Sequence, residues 1–132
     1  MVVVVIIGVL AGLALVALKH TRERALATRI CNDMRQFRTA FQAYNLQNST
    51  WPPATSAGTI PAGMEGYLSA AYLNPREPGG AYSWTGSSGQ IRFTTLSATP
   101  GAMQMVDATL DDGNLATGEF TQAGGSLYQL QL

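Results

Sequence analysis

Cysteine and histidine each occur once in the chain, as Cys31 and His20. A lone cysteine excludes an intrachain disulfide, and a lone histidine excludes a His-rich metal centre. On one helix, eleven residues separate the two by roughly 16 Å, too far for a hydrogen-bonded nucleophile and base. Cys31 is therefore read as a small packing residue and His20 as an interfacial polar one, and no catalytic residue is assigned. Net charge is lacking too. Eight Lys and Arg balance eight Asp and Glu, which removes any general attraction to nucleic acid. No internal repeat or low-complexity tract is present, and 132 residues leave no room for two full domains.

Polar side chains are missing altogether from Val2 to Leu18, a run of 17 residues. As a helix it spans roughly 25 Å, a little short of the ~20 residues a bilayer-crossing helix needs. Its β-branched start, Val2 to Ile7, has weak helix propensity in water. A membrane or a bundle of like helices overrides that preference.

No proline separates this run from KHTRERALATRICNDMRQFRTAFQAY. Leu26, Ile30, Met34, Phe37, Phe41 and Tyr44 recur there at steps of three and four, one apolar stripe of an α-helix wide enough to seat a small head. Turn-prone residues from Asn45 and then Pro52-Pro53 stop the helix between Tyr44 and Asn48. The organisation is a hydrophobic segment over 1–18, the amphipathic half of the same helix over 19–47, and a head over 48–132.

Within the head, Met64, Leu68 and Ala71 predict a short helix ending before Asn74-Pro75, and PREPGG predicts a turn-rich connection. Ala81 to Thr85 and Ile91 to Thr94 predict a hairpin turning through Gly86 to Gly89. Thr99-Pro100 starts another helix, with Met103, Val106 and Leu110 on one face and Gly113 placed to end it. Two further strands, Glu119 to Gln122 and Ser126 to Leu132, flank a Gly124-Gly125 turn. The fold class is α+β: a long N-terminal α-helix packed on a small antiparallel sheet of about four strands, with short helices.

The opening run closely resembles the membrane-embedded segment of type IV pilins and type II secretion pseudopilins, whose apolar segment contains I-I-G-x-L-A. Ile6, Ile7, Gly8, Leu10 and Ala11 match it. The family's basic leader and its F-T-L-I-E-L motif do not precede the run here, so the chain is expected to start inside the family motif. AGMEGYL and VDATLDDGNLATGEF also look like phrases of a pilin-like subgroup. Many members carry a proline where this sequence has Val16, which removes the reason for a kink.

The resemblance implies a structural subunit of an extracellular type IV pilus-like filament, assembled through its N-terminal hydrophobic helix. It also implies copies of the chain as partners, a prepilin peptidase, inner-membrane assembly machinery, and residence in the bacterial inner membrane before assembly. The alternatives are a minor pseudopilin of a type II secretion system, in a periplasmic pseudopilus, or a membrane-tethered module capturing a ligand through Trp51, Tyr82 or Trp84.

Candidate assembly residues are Ile6, Ile7, Gly8, Leu10, Ala11 and Gly12, with Gly8 and Gly12 forming a G-x-x-x-G that lets helices approach closely. The charge distribution adds others. Lys19 to Gln47 carries a net +4 and the residues from Asn48 onward a net −4. Arg35 or Arg38 is thus expected to face acidic head residues such as Asp111, Asp112 or Glu119 of a neighbouring subunit. Asp111, Asp112 and Asn114 also offer oxygens to Ca²⁺, which some pseudopilins bind near the C-terminus. Their spacing is not that of an EF-hand loop, and a helix-ending turn is the preferred reading.

Overall fold

A computed structural model describes residues 1–75, 79–96 and 98–132; Arg76 to Pro78, the middle of the PREPGG connection, lie outside the described residues. The fold is the expected α+β arrangement. Helix α1 runs unbroken from Val2 to Asn48, 47 residues, or about 70 Å. The helix continues through Val16. The Asn48 side chain donates to the Tyr44 carbonyl at 3.1 Å, and Ser49 turns left-handed at φ 54°. Pro52 and Pro53 then prevent any return to helix.

The other elements are α2 (Ala70–Leu73), β1 (Ala81–Trp84), β2 (Gln90–Thr94), α3 (Pro100–Leu110), β3 (Phe120–Gly124) and β4 (Leu127–Gln131). The strands form one antiparallel sheet in the order β1-β2-β4-β3. Strand parity puts Tyr82, Trp84, Ile91, Phe93, Phe120, Tyr128 and Leu130 on one face, all buried. Arg92 and Gln129 pair on the opposite face.

The second half of α1 covers the buried face. Met34, Phe37 and Phe41 are completely buried there. The Phe41 ring stacks on Trp84 with centroids 4.0 Å apart, and Phe37 meets Tyr82 edge-on at 4.8 Å. Such aromatic pairs add about 0.5–1.5 kcal/mol each beyond the area they bury. The apolar stripe read from the sequence is thus the stripe that seats the head.

Helix α3 lies beside α1 and runs in the same direction. Three contacts fix this, in matching order along both helices. Thr99 Oγ1 donates to Glu23 Oε1 at 3.1 Å, Cys31 Sγ to the Val106 carbonyl at 3.6 Å, and Arg35 Nη2 to the Thr109 carbonyl at 3.1 Å. Thr99 also caps α3 by accepting from the Ala102 N–H, with Pro100 in the first turn, as its sequence predicts.

The expected Met64 to Ala71 helix is shorter than its periodicity suggests, since α2 begins only at Ala70. Gly63 takes a positive φ of 86° and packs on the Tyr44 ring, and Ser69 is extended, so the segment folds as separate turns. Met64, Leu68 and Tyr72 still reach the core because single turns four residues apart bring them to the same side.

Candidate functional site

Two features of the molecule call for a partner or a ligand. The first is the front of α1. Every residue from Met1 to Arg22 is exposed, and the large side chains between Val2 and Leu18 show from 49% (Leu18) to 73% (Val2) of their surface. The segment is long and apolar enough to cross a membrane. Ile6, Ile7, Leu10 and Ala11 are bare, and an added Cβ at Gly8 or Gly12 would meet nothing within 4 Å. Gly8 and Gly12 lie one turn apart and form a shallow notch, a shape that admits a second helix at short range. Burying each large side chain here is worth about 1.5–3 kcal/mol.

The charged stalk makes contacts within the chain. Arg38 Nη1 lies 2.9 Å from Glu119 Oε2 of the same chain, and Arg35 is bonded to Thr109 within the chain. Both arginines thus have a contact within their own chain, on α3 for Arg35 and at the entry to β3 for Arg38.

The second feature is carboxylate-rich. Asp111, at the end of α3, accepts through Oδ2 from the N–H groups of Glu119 and Phe120. Gly118 makes that approach possible. Its φ is 87°, and a Cβ there would collide with the Asp111 carboxylate. Asp112 Oδ1 accepts from the Asn114 N–H and Oδ2 from the Thr117 hydroxyl, both at 2.8 Å. These bonds hold the Asp112 carboxyl below its usual range.

One turn back on α3 sits Asp107, 0% exposed, with neither carboxylate oxygen hydrogen-bonded to any described residue. Ligand oxygens of Asp107, Asp111 and Asp112 lie within 4.8 Å of one another. Burial first, then the charges of Asp112 and Asp111, push the Asp107 carboxyl up to about 6. The Asn114 side-chain oxygen accepts from the Ala116 N–H at 3.2 Å. Asp107 was missed in the sequence because it reads as one more position on an amphipathic helix. The available signal was its i,i+4 spacing to Asp111, which places both on one helix face.

Tyr82 and Trp84 are 1% exposed. They face α1 and are closed to a ligand, while Trp51 remains half-buried against Trp84. Cys31 is buried, and burial raises its thiol pKa.

No protein-family model, curated protein sequence or solved structure matches the chain.

Proposed function

We propose that this protein is a structural subunit of an extracellular filament of the type IV pilus kind. Its apolar helix is held first in the bacterial inner membrane and then in a bundle of like helices at the filament core. The observation that carries the reading is the bare front of α1: an apolar rod about 25 Å long, exposed along its whole length and continuous with the helix on which the head is seated. A soluble monomer gains nothing from such a surface. A membrane followed by copies of the same helix buries it twice over. The resemblance of Ile6 to Ala11 to the pilin segment supports the same reading, with processing by a prepilin peptidase and delivery by membrane assembly machinery as its corollaries. The reading assigns the chain no catalysis.

Electron microscopy of material sheared from cells producing the chain tests it. Filaments in which this chain is the dominant component are expected. Cells that hold the chain only as dispersed membrane protein, with no filament containing it, would overturn the reading.

A further inference from the structure

We propose that the groove where the start of α3 meets the end of the apolar rod seats one anionic glycerophospholipid of the membrane that holds the chain. The inference rests on the membrane stage of the filament reading, and not on the filament itself.

The groove has a volume of about 310 Å³, within the range of small-molecule sites. Its α1 wall presents Leu15, Leu18, Arg22 and Leu26, with Lys19 beside them. Steps of three and four keep this set on one helix face. The facing wall is Ala98, the cap Thr99, and Ala102, short side chains that leave the space open. Along the groove, Leu15 and Leu18 give way to Lys19 and then Arg22 within one turn, about 6 Å. Apolar and then cationic is the order that matches a glycerophospholipid, read from its chains to its phosphate.

The charge is unmatched within the chain. Lys19 and Arg22 are exposed, and neither makes an ion pair with any described residue. Glu23 is the acidic residue of the lining, and its Oε1 is engaged by the Thr99 hydroxyl at 3.1 Å. The groove therefore carries a net +1 and calls for an anion. A second copy of the rod does not supply one, because Val2 to Leu18 contains no charged side chain. A phospholipid supplies the anion and the apolar part together.

The groove also sits at the right height. A rod of roughly 25 Å falls short of a hydrocarbon core of about 30 Å, which draws the base of the head towards the headgroups. Lys19 is the first charged side chain after the rod, so its ammonium and the Arg22 guanidinium meet the phosphate layer while their stems stay on apolar surface. Leu96, two residues before Ala98 in the groove wall, is 76% exposed and adds an apolar contact on the same connection.

The test uses the full chain in neutral detergent micelles, given equimolar phosphatidylglycerol and phosphatidylcholine with the same acyl chains. Native mass spectrometry counts the lipid adducts. A 1:1 adduct is expected, favouring phosphatidylglycerol on the order of tenfold, given roughly fivefold for each cation and the opposing charge of Glu23. Lys19→Gln combined with Arg22→Gln should bring the two lipids to parity. Arg24→Gln, nearly opposite on the helix at the same depth, should leave the preference unchanged. All three side chains are exposed, so the variants should remain folded by circular dichroism. Glycerol phosphate, which has the charge without the chains, should not displace the lipid. Equal adducts of the two lipids on the wild type would overturn the proposal. So would an equal loss of preference in Arg24→Gln, displacement by glycerol phosphate, or a dimer that excludes lipid. The filament reading fails separately, because a chain that forms no filament can still show the preference and a filament can form without it.

Discussion

Arg38 and Glu119 are 81 residues apart in sequence, yet their side chains meet at 2.9 Å across the seam between α1 and the entry to β3. The pair closes the same edge of the head that Arg35 closes through Thr109. With 33% and 50% of the two side chains exposed, it is worth about 0.2–1 kcal/mol. Arg38→Glu should therefore lower the urea midpoint of the head slightly, and Glu119→Arg in the same chain should recover most of the loss. If the two substitutions were simply additive, the pair would have no coupling to restore.

The stacked Phe41 and Trp84 rings lie at the centre of the helix–sheet contact. Phe41→Ala removes a fully buried ring and should cost about 3–5 kcal/mol. Equilibrium unfolding followed by tryptophan fluorescence checks this, since Trp84 itself reports the loss. A change below about 1 kcal/mol would mean that the site collapses without a cavity.

Association is assigned to the front of α1 and folding to the rest. A chain beginning at Thr21 keeps Glu23 and its bond to Thr99 while discarding the apolar rod. It should be soluble, folded and monomeric in sedimentation. Polymerisation of this truncated chain into the filament of the parent would contradict the role given to the rod.

The buried carboxyl of Asp107 sets a pH dependence with a definite sign. Its folded pKa, about 6, lies above the ordinary 3.8, so the native state holds the extra proton between those values. Stability then falls as pH rises through that window, by at most about 3 kcal/mol. In excess chelator, Asp107→Asn should be more stable than the wild type near pH 7.5, and the difference should vanish towards about pH 4. Paired urea melts at the two pH values measure it. A difference independent of pH would place its origin in packing.

What the sequence made legible followed from local period. Steps of three and four marked Leu26 to Tyr44 as a buried stripe, and alternation marked the inward residues of β4, Tyr128 and Leu130. Thr99-Pro100 announced α3 through its cap. What stayed hidden needed distant partners. Alternation put Tyr82 and Trp84 on a common face but did not say whether α1 or a ligand lay against it. The partner of Arg38 within the chain sits 81 residues on, a contact that charge segregation alone does not reveal. Asp107 looked ordinary until its missing hydrogen bonds were visible. Glycine and an extended serine divided the Met64 to Ala71 turns, an effect that apolar spacing alone does not reveal.

Because α1 passes from rod to head without a break, the azimuth of the head is geared to the azimuth of the rod. One alanine inserted after His20 would rotate the head by about 100° and lift it by about 1.5 Å. Seven inserted residues would bring it back to within roughly 20° of its first bearing while raising it about 10 Å. Phase and height, which a flexible linker would scramble together, are thus separate and adjustable quantities in this chain. An array built on the rods would record each of them in its outer surface.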